Sequence, residues 1–578
     1  MSSVSVGRRG GDWLTGETSA DEVFTPERLG DEHRLIAQTA AEFVANEVVP
    51  ANPELLKKNW DVARKLIARA GDLGLLGTDV PEAFGGVGLG KVAAIVVGEA
   101  VGANAAFATA FGAQTGLAIV PILCFGTPAQ QKRYLPRLTS GEMVGAYCLS
   151  ESGSGSDALG ARSRATRDAD GSWRLGGEKM WITNGGFADL FIVFAKVDGE
   201  AFSAFIVERG FAGVSTGNEE HKMGLHGSST TPLVLQDARV PAENLLGEIG
   251  RGHKIAFNVL NYGRFKLAAM CTGGAKATIA EAVTYALGRR QFGQPIASFG
   301  AIRHKLAEMA IRTYAAESML FRTAGLIDTA IGQSGHDPAV VAGALEEFAI
   351  EASLLKVAGS EMLDYVVDES VQVHGGNGFV ADYPAEARYR DARVNRIFEG
   401  TNEINRLLVP AMLIKRALKD GLPIVNAAKA IQDELLSGTT GTTGTTGTLK
   451  KTALVALGLA MQTYGEALQN EQEALMLLSD IVMDTFAAES VTLRAAQARS
   501  AGAPNAELHA AAADVFVHDA ALRIEVAART LLGSMLAGDA QRTALAGLRR
   551  ILKPAPMNTI ALRRLVADAV TSKRGYPF

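Results

Sequence analysis

The stretch VQVHGGNGFVADYPAEARYRDARVNRIFEGTNEI, residues 371–404, decides the fold. It contains a glycine cluster, an Arg- and Asp-rich segment, and then a single carboxylate, Glu399, in a Phe-Glu-Gly-Thr sequence. Glycines let a backbone turn sharply and approach a bulky group closely, because no side chain stands in the way. A helical pattern starts at Thr401 or Asn402, so Glu399 is predicted to lie on a turn directly before a helix N-terminus.

A carboxylate at that position can act as a general base if it is removed from water, since desolvation raises the pKa of a carboxyl group. The alternative is a surface glutamate that pairs with nearby Arg396, because charged residues are mostly exposed. Both interpretations stay open for Glu399 taken alone.

The whole segment resembles the C-terminal signature of acyl-CoA dehydrogenases. In that family the glutamate of a (Y/F)-E-G-T sequence is the catalytic base, and a Q-x-x-G-G-x-G element contacts the FAD of the partner subunit. The resemblance implies that Glu399 is the base and that Gln372 and Gly376 contact FAD across a dimer.

The residues that follow Glu399 also match family positions. Gly400 is implied beside the substrate, and Thr401 matches a residue at the FAD pyrophosphate. Glu403 stands where Gln or Asp is common, and the resemblance implies a cofactor contact there as well.

Composition and length indicate a globular protein of several domains. A chain of 578 residues is too long for one core, and a net charge of −5 gives no sign of a nucleic-acid partner. Three widely separated cysteines predict neither a disulfide framework nor a metal site. We see no secretory or transit pattern at the N-terminus and no run of 18 apolar residues. We therefore expect a cytoplasmic enzyme without a spanning helix.

The periodicity of the sequence changes several times along the chain, which predicts a mainly α protein with a β domain. Apolar spacing is helical before residue 146, short and strand-like to about 250, and helical afterwards. A Gly-Thr-Thr repeat in the last third predicts a flexible connection. The predicted parts are an N-terminal arm, a helical domain, a β domain, a helical bundle with Glu399, a linker and a helical extension, at residues 1–25, 26–145, 146–250, 251–436, 437–449 and 450–578.

The first three folded parts match the acyl-CoA dehydrogenase fold over roughly residues 26–420: an N-terminal helical domain, a middle β domain and a four-helix bundle. The last part resembles the extension of very-long-chain acyl-CoA dehydrogenases. LNYGRF at 260–265, SFGAIRHKLAEM at 298–309 and the terminal RGYPF resemble the same branch.

A nucleotide fingerprint in ESGSGSDAL is rejected. Residues 153–158 satisfy a permissive G-x-G-x-x-A pattern, but that fingerprint requires a helix afterwards. The following RSRATRDADGSW has the alternation and Asp-Gly turn of a strand and hairpin.

The same region resembles the flavin-binding wall of the family, Y-C-x-(S/T)-E-x-G-x-G-S-D with W-I-T-N. A lone tryptophan is more often a core residue, but these paired blocks occur at family spacing on two strands that we expect to be neighbours. By this resemblance, Ser156 also lies on the path of the pantetheine. The implied cofactor contacts are Tyr147, Leu149, Ser150, Gly155, Ser156, Trp181 and Thr183.

Two further motifs concern cofactor and substrate. The R-x-(Q/T)-F-G pattern assigns Arg289, Gln291 and Phe292 to the neighbour's FAD, whereas the alternative is solvated arginines at a helix C-terminus. Asn261 and Arg264, one helical turn apart, correspond to a family pair near the base and the acyl-CoA.

The loop and helix near that pair complete the substrate set. LHGSSTT at 225–231 matches a substrate-side segment, which assigns Thr230 to the substrate. Some relatives carry the base directly before the arginine of the helix; Gly263 occupies that position here and cannot act as a base. Glu399 therefore remains the candidate.

The resemblance implies that Glu399 removes the α-proton of a thioester while flavin N5 accepts the β-hydride, which yields a trans-2-enoyl-CoA. Electrons then pass to an electron-transfer flavoprotein. One alternative is an acyl-CoA oxidase of the same fold, and another is a non-catalytic assembly or scaffold protein.

The small-residue stretch GANAAFATAFGAQTG at 102–116 leaves room for a deep acyl channel, or indicates only close helix packing. With the extension, we expect long-chain substrates and a homodimer. The basic amphipathic face of Leu562, Leu565, Val566 and Ala569 predicts either contact with anionic lipid or packing inside the oligomer.

Overall fold

The predicted mainly α fold with a β domain is confirmed by a computed structural model of the chain, which describes residues 8–332, 337–419, 421–437 and 444–578. The chain runs through a helical domain, a sheet, a second helical domain and a helical extension, in that order.

The first helical domain precedes the sheet. A capping box in which Thr127 and Gln130 bond each other's backbone starts its last helix. Two π-helical segments, Val44–Val48 and Ala113–Ala118, join successive helices without a break. The helices α1 to α7 are Asp31–Phe43, Val49–Leu56, Trp60–Asp72, Gly90–Val101, Ala105–Gly112, Ile119–Phe125 and Pro128–Thr139.

The middle domain is an eight-stranded sheet in the order β6-β7-β3-β2-β4-β5-β8, with β1 beside β4. Its central strand, LFIVFAKV, is almost continuously apolar because both of its faces are covered. The strands β1 to β8 are Gly145–Cys148, Arg164–Arg167, Trp173–Thr183, Leu190–Val197, Ala201–Glu208, Val214–Thr216, Thr230–Val240 and Leu245–Leu246.

The bundle domain contains the long helices against which the sheet domain and the extension pack. A short hairpin, β9 Arg290–Gln291 and β10 Gln294–Pro295, follows its first helix. The helices α8 to α14 are Gly252–Gly288, Gly300–Ile331, Pro338–Glu347, Ala349–His374, Pro384–Ala392, Asn402–Leu418 and Ile424–Ser437.

The extension packs on the bundle and shares its apolar core. The described part of the N-terminal arm lies between the two, where the Trp13 ring is 4.7 Å from the Phe486 ring and its indole N–H donates to Glu351. The helices α15 to α19 are Thr445–Tyr464, Gln472–Ser500, Ala506–Met535, Gly538–Ile551 and Thr559–Lys573.

The linker predicted at 437–449 is shorter than its composition indicates. Helix α14 continues to Ser437 and α15 begins at Thr445, so the prediction of a flexible coil is wrong for residues 445–449. Leu449 is fully buried, and burial of this apolar face outweighs the low helix propensity of Gly and Thr. Residues 438–443 lie outside the described residues.

Among the described residues, one helical stretch, Ala105–Phe125, is long and apolar enough to cross a membrane, with a mean hydropathy of 1.6. The sequence did not predict this feature, because no uninterrupted run of 18 apolar residues occurs there. Its most apolar window is 78% buried inside the protein. The stretch therefore packs as a core helix.

Candidate active site

Glu399 lies on a strained turn between the segment after α12 and the N-terminus of α13. Its φ is +58° and that of Gly400 is +76°, and the left-handed region is costly for a residue with a side chain. Thr401 caps α13 by accepting the Ile404 N–H, so the predicted position directly before a helix is confirmed. Asn405 Nδ2 secures the turn by donating to the Gly400 carbonyl at 2.8 Å.

The Glu399 carboxyl group is withdrawn from water and one of its oxygens lacks a partner. Oε2 is buried without a hydrogen bond among the described residues. Burial raises the pKa of Glu399 to about 7, although the cations of Arg264 and Lys356 oppose that rise. Arg396 pairs instead with Asp364 at 3.2 Å, so the surface pairing of Glu399 with Arg396 does not form.

Gly263 makes the space in which this carboxyl group lies. A Cβ atom at this position would come within 2.5 Å of Glu399 Oε2, which is far inside contact distance. Gly263, which cannot serve as a base, therefore leaves open the space that the Glu399 carboxyl group occupies.

Arg264 and Asn261 lie on the same face of α8, as their spacing predicts. Arg264 Nε donates to the Glu399 carbonyl at 3.1 Å and Nη1 donates to Asn261 Oδ1 at 3.1 Å. The guanidinium therefore holds the backbone of the turn, while burial lowers the pKa of Arg264 to about 10.

Lys356 is a part of this site that sequence reasoning missed. Its ammonium donates to Asn402 Oδ1 at 2.6 Å, three residues beyond Glu399, and burial lowers the pKa of Lys356 to about 8. The signal was present as a lone lysine in the apolar run ASLLKVAG of α11, since a buried cation needs a specific partner.

The two segments predicted to form the flavin wall lie at the ends of β1 and β3. β1 pairs with β4 and not with β3, but the two segments are neighbours, as predicted. Both β1 and β2 lie along the same edge of β4, so the far end of β3 still reaches β1, and the Met180 N–H donates to the Ser150 carbonyl at 3.0 Å.

The side chains on this wall differ in exposure. Leu149 is buried, and burial raises the pKa of Tyr147. Trp181 has a φ of +58° and is 59% exposed, a large apolar surface left uncovered. Thr183 lines the same cavity as Glu399.

Of the other residues assigned to cofactor and substrate, Gly155 and Ser156 lie on the loop after β1, and Thr230 is the first residue of β7. Gly155 and Ser156 are exposed, and they lead into a 3-10 turn, Ala158–Gly160, and β2. The helix that a dinucleotide fingerprint requires is therefore absent from residues 145–167. Thr230 accepts from Lys222 at 2.9 Å and its N–H donates to Glu219.

A second group of assigned residues lies far from Glu399 in the same chain. Arg289, Gln291 and Phe292 follow the C-terminus of α8, which lies about 36 Å along the helix from Arg264. Phe292 is 93% exposed. The exposed Gln372 and Gly376 lie near this end of α8. Tyr285 of α8 stacks on His374, which lies between them in sequence, with the two ring centroids 4.2 Å apart.

Thr401 and Glu403 lie at the N-terminus of α13. Thr401 uses its hydroxyl as the helix cap, and Glu403 is exposed. A helix N-terminus favours a negatively charged ligand through its free N–H groups and dipole.

A cleft with about 920 Å³ of empty space, counting its open mouth, runs from Glu399 between α5 and α8. One wall of this cleft is lined by small residues of the stretch 102–116, namely Gly102, Ala105, Ala108, Gly112, Ala113 and Gly116. The facing side follows α8 from Gly263 to Thr278, about 22 Å of helix.

The residues present fit a flavin cofactor. The Thr183 hydroxyl and a Glu399 carboxyl oxygen that has no hydrogen bond among the described residues line one cleft, and the uncovered Trp181 lies two residues before Thr183 on β3. At Gly376, a Cβ atom would meet nothing within 4 Å, so a bulky group can approach the backbone there. Within the described ranges no cluster of three or more His, Cys, Asp or Glu side chains is arranged to hold a metal.

Comparison with known proteins assigns each folded part. Family models for the acyl-CoA dehydrogenase N-terminal, middle and C-terminal domains match residues 30–142, 146–238 and 250–414. A further acyl-CoA dehydrogenase C-terminal domain model matches residues 448–550.

Individual relatives agree with these models. A probable acyl-CoA dehydrogenase of Bacillus subtilis (strain 168) is 46% identical over 98% of both chains. The very long-chain specific acyl-CoA dehydrogenase of Rattus norvegicus is 34% identical, over 93% of this chain and 86% of its own. A crystal structure of an acyl-CoA dehydrogenase complexed with FAD from Bacillus anthracis is 46% identical, covers 99% of this chain and 100% of its own, and has a TM-score of 0.97. The chain therefore belongs to the FAD-dependent acyl-CoA dehydrogenase family, with the additional C-terminal helical domain of its very-long-chain branch.

Proposed function

We propose that this protein introduces a trans-2 double bond into long-chain acyl-CoA thioesters in fatty acid β-oxidation, with Glu399 as the catalytic base. The observation that carries the proposal is the Glu399 carboxyl group, which lines the cleft with a buried oxygen that no described residue hydrogen-bonds. Such an oxygen can accept a proton without first breaking a hydrogen bond.

The proton transfer follows from the environment of Glu399. A pKa raised to about 7 by burial leaves about half of the Glu399 carboxyl groups ionised at neutral pH and makes the carboxylate basic enough to take the α-proton. Gly400, also at positive φ, completes the turn that directs the Glu399 N–H toward the substrate. This N–H polarises the thioester carbonyl and so acidifies the α-carbon. The flavin of FAD, when bound, supplies the acceptor for the β-hydride.

The neighbouring side chains orient the base and the substrate. Arg264 holds the Glu399 carbonyl, and Asn261 holds Arg264. Ser156, on the loop after β1, is proposed to contact the pantetheine of the substrate, and Thr230, at the start of β7, is also proposed to contact the substrate. Substrate that fills the cleft expels water and keeps the Glu399 pKa high.

Residues of two chains are proposed to hold each FAD. Tyr147, Leu149, Ser150, Gly155, Ser156, Trp181 and Thr183 form the wall beside Glu399, with Thr401 and Glu403 at the α13 N-terminus. The exposed group of Arg289, Gln291, Phe292, Gln372 and Gly376 lies too far along α8 to serve the same site. A homodimer that brings this group to the partner's wall accounts for the 93% exposure of Phe292.

The length of the cleft supports long-chain substrates. It follows about 22 Å of α8, whereas one leaflet of a bilayer has a hydrocarbon depth of about 15 Å. The acyl chain of a membrane lipid therefore fits along the small-residue wall.

We further propose an electron-transfer flavoprotein as electron acceptor and a cytoplasmic location, in line with the bacterial relative. The fold of α19 favours packing inside the protein over contact with a membrane: Val566 is fully buried and Leu562 and Ala569 pack against the core, whereas Leu565 is 40% exposed.

Anaerobic titration of the FAD-loaded enzyme with saturated acyl-CoAs of increasing chain length tests the proposal. The flavin absorbance is expected to bleach in proportion to substrate, most completely with long chains. The absence of bleaching with every chain length would contradict it. Rapid reoxidation by oxygen, without an electron-transfer flavoprotein, would indicate an oxidase instead.

A further inference from the structure

The far end of the cleft, whose α5 and α8 walls carry mostly small and apolar side chains, is bounded by a charged side chain. Arg388, on α12, lines the cleft. Its guanidinium makes two hydrogen bonds to Glu281, Nε to Oε2 and Nη2 to Oε1, each at 2.6 Å. Nη1 also donates to the Ala103 carbonyl at 3.2 Å.

These contacts span both walls of the cleft at its end. Glu281 lies three residues beyond Thr278, the last α8 residue of the lining, and about 27 Å of helix beyond Gly263. Ala103 directly follows Gly102, the first residue of the opposite wall. A substrate chain that starts at Glu399 and follows α8 therefore points at this ion pair.

The ion pair also separates the cleft from solvent. The Arg388 and Glu281 side chains are 21% and 31% exposed, so no further layer of protein covers them. A pair in such a position adds little to folding stability. An apolar chain end pressed against it, however, would remove water from two charges without replacing their hydrogen bonds, which is unfavourable.

We propose that the Arg388–Glu281 pair caps the acyl channel and sets the upper limit of chain length. This inference rests on the proposed function, since it concerns the acyl chain of the same substrate. Up to the cap, each added methylene is buried and strengthens binding by about fourfold. Beyond it, further methylenes gain nothing until the pair opens.

The test measures binding of saturated acyl-CoAs of increasing length to the FAD-loaded enzyme by calorimetry, in a Glu399→Gln background that prevents turnover. The affinity is expected to rise and then level off at a fixed chain length. In Arg388→Ala the plateau should begin several carbons later, so that the affinity ratio of the longest to the plateau-length chain rises at least tenfold. Glu281→Gln, which keeps one hydrogen bond to Arg388, should move the plateau in the same direction by less.

A matched control lies on the same helix. Arg390 forms the same kind of bidentate pair with Glu386, at 2.7 and 3.0 Å, but lies outside the lining of the cleft. Arg390→Ala is expected to keep the wild-type plateau.

Two results would overturn the inference: the same plateau in Arg388→Ala, Glu281→Gln and wild type, or an equal displacement of the plateau in Arg390→Ala. Failure of the proposed function is a separate result, namely no flavin bleaching by any acyl-CoA when Glu399 is intact. Chain-length dependence of binding would still report on the cap in that case.

Discussion

Two glutamates, Glu399 on the turn before α13 and Glu151 after β1, have pKa values that the protein shifts in opposite directions. Glu151 accepts from Lys179 Nζ at 2.6 Å, from the Ser163 N–H at 3.1 Å and from the Arg162 N–H at 2.6 Å. Burial alone would raise the pKa of Glu151, but these hydrogen bonds outweigh it and hold the pKa at about 2. At Glu399 burial prevails and the pKa is about 7.

The difference shows that pairing, and not burial by itself, separates a structural carboxylate from a base. Three donors satisfy Glu151 and fix the loop that carries Leu149 and Ser150. The cations nearest to Glu399 bond other groups: Arg264 donates to the Glu399 backbone carbonyl and Lys356 donates to Asn402. The Glu399 carboxyl group is therefore available to take a proton.

The largest expected effect comes from removing the base. Glu399→Gln is expected to reduce the rate of flavin bleaching by at least about a thousandfold, the contribution of a positioned general base, while FAD and acyl-CoA still bind. Stopped-flow absorbance under anaerobic conditions measures the rate. A near-normal rate would show that another group takes the proton.

The same type of substitution at the other glutamate should change stability. Glu151→Gln leaves the fully buried Lys179 ammonium without its counter-charge, so the free energy of unfolding should fall by about 3 kcal/mol. Since the folded pKa of Glu151 lies below its ordinary value, this stability is present above about pH 4.5 and is lost as the pH falls toward 2. Denaturant unfolding at pH 7 checks the prediction; an unchanged unfolding free energy would refute it.

Glu399→Gln should have the opposite effect on stability at pH 8. The raised pKa of Glu399 means that the native state binds the proton more tightly than the unfolded chain, so stability falls as the pH rises from about 4.5 to 7. The amide avoids this loss, and its free energy of unfolding should exceed that of wild type by up to about 3 kcal/mol. Lower stability than wild type at pH 8 would contradict the assigned pKa.

Crowding the free oxygen should impair the base without removing it. A Cβ atom in Gly263→Ala would meet Glu399 Oε2 at 2.5 Å and displace the carboxyl group, which should slow bleaching by about a hundredfold. Gly343→Ala on α10, where a Cβ atom meets nothing within 4 Å, is the control and should bleach normally. Equal rates in the two variants would show that the contact is harmless.

The smallest effect concerns the cation behind the turn. Because the Lys356 ammonium opposes the rise in the Glu399 pKa, Lys356→Met should raise that pKa by about one unit. The bleaching rate, which requires the ionised base and increases through pH 7 in wild type, should then reach half its maximum about one pH unit higher. Lys356→Arg keeps the charge and should restore the wild-type profile, whereas an unchanged profile in Lys356→Met would exclude the interaction.

Much of this protein is determined by local sequence pattern. The change from helical to alternating periodicity near residue 146 marks the start of the sheet, because helices and strands bury apolar residues at different spacings. Thr401 as a cap, Gly400 at positive φ and the spacing of Asn261 and Arg264 are short-range features, and each follows from the residues within one helical turn.

Tertiary structure alone decided the properties that depend on distant residues. The pairing of β1 with β4, the burial of Leu449 that drew residues 445–449 into a helix, and the contact of Gly263 with Glu399 each join segments far apart in the chain. The pKa values of Glu399 and Glu151 belong to the same class, because desolvation and hydrogen bonds are set by the groups that folding brings around a carboxyl, and these are not encoded in its neighbouring residues.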